Sequence, residues 1–128
     1  MDDTLSPAPF QAVTQPPAYF AATPNSLLFT GVPGGTFELP LKSGSAVKLA
    51  DIEGYGMLAS DADHVYFVAA VYGSPDDPAL WRAAHSGTEA PLKLAQDAFL
   101  LPYLPPAVDD TWVYWLDTQS KIIVRVRK

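Results

Sequence analysis

The amino-acid sequence predicts an all-β protein built from three similar units. Related segments begin near residues 21, 59 and 107, and each starts with a short apolar run that is followed by a second one. A spacing of about 40 residues between similar segments is typical of repeat architectures. The runs are rich in Val, Phe, Tyr and Trp, which favour strands. The 13 prolines and 8 glycines of the chain disfavour long helices.

The central strand of each unit is apolar on both faces. These strands comprise residues 27–29 (Leu-Leu-Phe), 65–67 (Val-Tyr-Phe) and 113–115 (Val-Tyr-Trp). Successive side chains of a strand point to opposite faces, so a continuous apolar run indicates a sheet that lies between neighbouring sheets. We expect a short strand to precede each of these runs.

Further strands bring each unit to four. A second apolar strand is predicted at residues 37–41, 80–84 and 123–127. In the first two units it leads into a polar turn with Gly44 or Gly87, where glycine suits a positive φ. A last strand follows at residues 46–50 and 91–95, both ending in Lys-Leu-Ala. Four short strands are the content of one propeller blade. The chain is therefore predicted to be a single repeat-built domain over residues 1–128, with blade-like units at 19–50, 56–95 and 103–128.

The third unit stops before its last strand. Residues 10–14 (Phe-Gln-Ala-Val-Thr) resemble a last strand that has no unit of its own, and we expect this N-terminal strand to complete the sheet begun by the C-terminal residues. Propellers typically need about four to eight blades. Two chains could form a six-bladed ring by twofold symmetry, the chain could be a piece of a longer protein, or the fold could be a plain β-sandwich. We favour the first interpretation, which predicts a homodimer.

The third unit also resembles a known repeat family. Residues 107–117 read AVDDTWVYWLD and residues 123–128 read IVRVRK. They are similar to a blade of the YWTD-type six-bladed β-propellers and their bacterial relatives. The matching residues are Tyr114, Trp115 and Asp117 in the first half and Arg125, Val126 and Lys128 in the second. Leu116 stands where that family has threonine. The resemblance is looser in the other units and covers about residues 19–128. It implies a propeller architecture and carries little functional specificity, because its motifs are structural.

Composition limits the partners that can be expected. Fourteen acidic against eight basic residues give a net charge of −6, which disfavours nucleic acid because phosphate binding depends on clustered Lys and Arg. Half of the basic residues lie at the C-terminus, at Lys121, Arg125, Arg127 and Lys128. They suit an edge strand that discourages aggregation, with a docking site for an acidic partner as the alternative. No apolar run is long enough for a membrane span. The compartment is not indicated by the sequence.

Candidate chemical residues are few. Asp61 and Asp109 stand at the repeat position of Thr23, where Asp or Thr before a strand usually shapes a turn through its own backbone. They are weaker candidates for calcium ligands. His64 aligns with Ser26 and Trp112, and His85 with Lys42 and Lys128, so the two histidines indicate no metal site. No nucleophile elbow or phosphate-binding loop occurs. We expect no cofactor, with calcium as the open alternative.

The most distinctive insertion lies in the second unit. Phe67 and Leu80 are 13 positions apart, whereas Phe29 and Phe37 are 8 apart. Such loops often carry function on a rigid scaffold, and a tolerated surface insertion is the open alternative. The ligand-binding candidates are Tyr72, Asp76 and Asp77 in this loop, together with Trp112.

The connector at residues 97–106 (DAFLLPYLPP) is apolar but rich in proline. It could pack across a sheet or form an exposed interface ridge. Its interface candidates are Phe99, Leu101 and Tyr103.

These observations predict a non-enzymatic scaffold or binding module for a protein or glycan. The alternative is a hydrolase or lyase that uses acidic loop residues around a central channel, with or without calcium.

Overall fold

Eleven β-strands and no helix make up the part of the chain that the computed structural model describes, namely residues 17–31, 35–52, 58–69, 78–98 and 104–128. The predicted all-β class is confirmed. In these ranges there is no helix that could span a membrane.

The strands form three antiparallel sheets in chain order. The first sheet consists of β1 (Pro17–Ala22), β2 (Ser26–Gly31), β3 (Gly35–Pro40) and β4 (Val47–Ala50), in that order. The second sheet consists of β5 (Ala59–Ser60), β6 (His64–Ala69), β7 (Ala79–Ala84) and β8 (Leu92–Gln96). The third sheet consists of β9 (Ala107–Val108), β10 (Trp112–Leu116) and β11 (Ile123–Arg127), in the order β11-β10-β9.

The predicted strands that lie within the described residues agree with these elements to within two residues at each end. Gly44 and Gly87 have φ angles of 68° and 65°, as the turn chemistry requires. Residues 10–14 lie outside the described residues, so the third sheet has three described strands.

The second sheet is covered on both faces. On one face, Val65 and Phe67 pack with Leu28 and Leu49 of the first sheet in a buried cluster. On the other face, Tyr66 and its neighbours pack against the third sheet, in a cluster that contains Val68, Leu80, Val113 and Trp115. The continuous apolar run of β6 is thereby explained, because both of its faces lie in a core.

The three sheets also share a pattern of backbone pairing that relates their residues. The central strand pairs with the next strand so that Leu28 faces Glu38, Tyr66 faces Arg82 and Tyr114 faces Arg125. Equivalent places in the sheets are compared below on the basis of this pairing.

Candidate functional site

An acidic or hydroxyl side chain shapes the turn before the central strand of each sheet. The Asp61 Oδ1 atom accepts hydrogen bonds from the backbone N–H groups of Asp63 (3.0 Å) and His64 (2.8 Å). The other two turns have the same arrangement around Thr23 Oγ1 and Asp109 Oδ1. Turn shaping was the favoured interpretation of this repeat position, and these bonds confirm it.

The second oxygen of Asp61 holds two further side chains. The Tyr66 hydroxyl donates to Oδ2 at 2.7 Å, and the Lys128 Nζ atom donates to the same oxygen at 2.6 Å. Burial by itself raises the pKa of Asp61, but the hydrogen bonds from Lys128, Tyr66 and the backbone outweigh it and hold the pKa well below its ordinary value. The pKa of Tyr66 is raised, first by burial and then by the Asp61 carboxylate. Asp61 is therefore ionised at neutral pH, and its carboxylate has a structural role.

Asp109 in the third sheet repeats this arrangement at a more exposed place. Its Oδ2 atom accepts a hydrogen bond from the Tyr114 hydroxyl at 2.6 Å. That bond, followed by the turn amides, lowers the pKa of Asp109. The same hydrogen bond, from Tyr114 to Asp109, raises the pKa of Tyr114.

A basic residue bridges each pair of adjacent sheets. Lys128 follows β11 and binds Asp61 of the second sheet, and its Nζ atom also donates to the Asp109 carbonyl oxygen of its own sheet at 2.9 Å. His85 follows β7 and contacts Glu38 of the first sheet through Nδ1 at 3.0 Å. Its Nε2 atom lies 2.8 Å from the Asp61 carbonyl oxygen of its own sheet. Each junction therefore joins a basic side chain of the later sheet to a carboxylate of the earlier one, although Glu38 lies in β3 and Asp61 lies in the turn before β6.

The backbone identifies the corresponding residue of the first sheet as Leu41. The N–H of Leu41 donates to Asn25 O (2.9 Å), that of His85 to Asp63 O (3.2 Å) and that of Lys128 to Thr111 O (3.1 Å). The predicted alignment of His85 with Lys42 is therefore wrong by one residue, because the polar turn was matched by residue type. We call Leu41, His85 and Lys128 the bridging positions.

A polar cleft of about 340 Å³ lies between the first and second sheets, and Asn25, Ser60 and His85 contribute to its walls. In it, the Ser26 hydroxyl donates to Glu38 Oε1 at 2.6 Å, and His85 contacts the same oxygen. Both ring nitrogens of His85 face oxygen atoms. No ring nitrogen is thereby left to activate the serine as a nucleophile. The lining includes no Phe, Tyr or Trp among the described residues, whereas pockets for small molecules are usually lined mainly by apolar and aromatic side chains.

The remaining predicted site residues are distributed as follows. Trp112 begins β10, and the Arg125 guanidinium lies over its ring at 4.3 Å. Asp61 and Asp109 are brought to the two sides of one lysine, Lys128. The loop candidates Tyr72, Asp76 and Asp77 and the interface candidates Phe99, Leu101 and Tyr103 lie outside the described residues.

A metal site is not formed by the residues that the structure describes, since these contain no group of three or more His, Asp or Glu side chains that could hold an ion.

Glu38, His85 and Lys128 were not predicted from the sequence as junction residues. Glu38 carried a usable signal: it is a carboxylate between Phe37 and Leu39 in an apolar strand, and it is only 8% exposed. A charge in such a place needs a partner. His85 and Lys128 gave no comparable signal, because their partners belong to other sheets.

Comparison of the sequence with models of known protein families gives no match, and comparison with curated proteins also gives none. The similarity to YWTD-type repeats therefore depends on the residues quoted for it.

Proposed function

We propose that this protein is a non-enzymatic, propeller-like scaffold that binds a protein partner through the outward face of its third sheet. The observation that carries the proposal is that the third sheet exposes apolar side chains at places where the second sheet buries the corresponding side chains.

The two faces can be compared residue by residue. In the second sheet Val68 pairs with Leu80, and both side chains are buried under the third sheet. In the third sheet Leu116 pairs with Ile123 at the corresponding place. Leu116 is 46% exposed and Ile123 is 74% exposed. Adjacent exposed apolar residues at places that are buried in a neighbouring sheet are candidates for a protein-interaction site.

The described polar groups support binding rather than catalysis. Three side chains that could serve in acid–base chemistry, Asp61, Glu38 and His85, are committed to a turn or a sheet junction. The polar cleft offers no aromatic wall among the described residues. A protein ligand on the apolar face therefore has more support than a glycan in the cleft.

The propeller closure belongs to the same proposal, and the homodimer is the alternative to a separate protein partner. The first and second sheets have β4 and β8 beside their third strand, whereas β11 has no described neighbour on that side. Residues 10–14 would supply the missing strand. The alternative occupant of the outward face is a second copy of the chain, in which case two chains would place six sheets in a ring with the third sheet of each chain against the first sheet of the other.

The proposal is tested by placing a charge on the outward face. The variant Ile123→Asp is compared with Leu92→Asp, which alters an exposed leucine of β8 in the second sheet. Proteins captured by the full chain are purified, and their dissociation constants are measured by calorimetry. We expect Ile123→Asp to weaken binding about tenfold or more, which corresponds to about 1.4 kcal/mol, and Leu92→Asp to change it little. Equal binding by wild type and Ile123→Asp would contradict the proposal, as would catalytic turnover lost in Asp61→Ala or Asp109→Ala.

A further inference from the structure

We infer that the partner of this face is a further β-sheet that carries a lysine, arginine or histidine at its bridging position, and that this side chain binds the Asp109 carboxylate. The inference rests on the proposed function and specifies the chemistry of the partner.

The first step is the common plan of the two junctions within the chain. In each, a basic side chain of the later sheet reaches a carboxylate of the earlier one, as His85 reaches Glu38 and Lys128 reaches Asp61. In each, the same side chain also contacts a backbone carbonyl of its own sheet, that of Asp61 or of Asp109. The bridging residue thus fixes the end of one sheet against the next.

The second step is that the Asp109 carboxylate accepts the same kinds of hydrogen bond as the Asp61 carboxylate, except for the one from a basic side chain. Its carboxylate accepts two turn amides, from Thr111 and Trp112, and the Tyr114 hydroxyl. Lys128 donates to the carbonyl oxygen of Asp109 and to the carboxylate of Asp61. Among the described residues, no lysine, arginine or histidine forms a salt bridge with the Asp109 carboxylate. A sheet that covered Leu116 and Ile123 would therefore bring its own bridging residue to Asp109.

The third step excludes the first sheet of a second wild-type copy as the best-matched partner. That sheet would bring Leu41 to the carboxylate, and Leu41 is an exposed apolar residue whose side chain cannot donate a hydrogen bond. Asp109 would then lose solvent without gaining a partner, which is unfavourable for a charged group. A sheet with a basic bridging residue removes this cost and repeats the contact that Lys128 makes with Asp61, the counterpart of Asp109.

The experiment gives the full chain such a sheet by the variant Leu41→Lys. Its self-association is measured by light scattering over a concentration series and compared with wild type and with the neutral control Leu41→Gln. We expect Leu41→Lys to associate about tenfold or more tightly than both, and the added variant Asp109→Asn to remove the gain. A gain that persists when Asp109→Asn is added would overturn the inference. So would a wild-type dimer that Ile123→Asp dissociates and Asp109→Asn leaves unchanged, because a second copy would then be the partner without a basic contact.

A second measurement does not require the first sheet to be accessible. Lys128 corresponds to His85, and in the native chain residues 86–128 follow His85. The extended chain carries a copy of residues 86–128 after Lys128, so that this copy follows β11 in the way that residues 86–128 follow β7. This extended chain supplies a fourth strand and a further sheet that ends in a lysine. We expect Asp109→Asn to lower the melting temperature of the extended chain by roughly 2–4 °C or more, and that of the natural chain clearly less. Equal shifts in the two chains would overturn the inference, whatever the result with Leu41→Lys.

The proposed function and the further inference can be refuted separately. Loss of partner binding in Ile123→Asp with unchanged binding in Asp109→Asn would retain the docking face and reject the basic partner. Unchanged binding in Ile123→Asp would reject the proposed function itself.

Discussion

Among the polar residues at the sheet junctions, we expect Asp61 to contribute most to the free energy of unfolding. The variant Asp61→Ala tests this. The carboxylate accepts four hydrogen bonds, two from the turn amides and one each from Tyr66 and Lys128. Only one of these interactions, that with Lys128, joins two different sheets. Removing the side chain therefore affects both the turn before β6 and the junction with the third sheet.

The size of the effect follows from the burial of the partners. Tyr66 is fully buried, and leaving its hydroxyl without an acceptor costs about 1–3 kcal/mol. The side chains of Asp61 and Lys128 are each 20% exposed, so the loss of their ion pair contributes about 1 kcal/mol. With the turn bonds included, we expect a loss of about 3 kcal/mol in the free energy of unfolding. This loss corresponds to a fall of about 10 °C in the melting temperature for a chain of this length.

The matched control is Asp109→Ala, since Asp109 makes the same turn and tyrosine contacts. Its surroundings are exposed and it lacks the lysine on its carboxylate, so its removal should have a clearly smaller effect. Both variants are measured by thermal and urea unfolding under the same conditions. A loss in Asp61→Ala no larger than that in Asp109→Ala would refute the argument from burial and bridging.

Three further predictions concern the same region. The stability difference between wild type and Asp61→Asn should be constant above about pH 5 and should shrink as the pH falls below about 4. The reason is that the folded-state pKa of Asp61 lies below the unfolded one, so its stabilisation is present above the unfolded pKa and is lost on protonation. Melting temperatures from about pH 7 to about pH 2.5 check this, and a difference that persisted unchanged to the lowest pH would contradict it. Tyr66→Phe should destabilise the chain by about 1 kcal/mol, and more than Tyr114→Phe, whose hydroxyl bond is exposed; equal losses in urea unfolding would count against the difference in burial. Gly87→Ala should cost about 2 kcal/mol or more, because φ is 65° and the new Cβ would lie 2.7 Å from the Lys48 carbonyl oxygen of the first sheet. A urea midpoint equal to that of wild type would show that this turn can move.

The strands could be predicted from the sequence because their signals are local. The apolar runs in β6 and β10, the Lys-Leu-Ala ends of the last strands and the turn glycines each depend on neighbouring residues. Backbone geometry couples such patterns directly to strand and turn conformation. The turn role of Asp61 and Asp109 was predictable for the same reason, since their partners lie two and three residues away.

The junction contacts could not be predicted, because they depend on how one sheet lies on another. Glu38 and His85 are 47 residues apart, and Asp61 and Lys128 are 67 apart. Nothing in the local pattern distinguishes Lys128 from the basic residues before it in β11. An alignment error of one residue, which matched His85 to Lys42, also concealed the fact that the first sheet has Leu41 at the bridging position.

The electrostatics of the two aspartates argue against the hydrolase alternative as far as these residues are concerned. A pair of carboxylates that cleaves a glycosidic bond needs one member with a raised pKa, so that it can act as the acid. The hydrogen bonds to Asp61 and Asp109 lower the pKa of both. Each carboxylate also has its Oδ1 atom committed to turn amides and its Oδ2 atom to a tyrosine. What distinguishes the two carboxylates is the hydrogen bond from Lys128, which binds the carboxylate of Asp61 but only the backbone carbonyl of Asp109. The same chemistry that disqualifies the pair as acid and base therefore suits Asp109 to receive a basic residue from a partner.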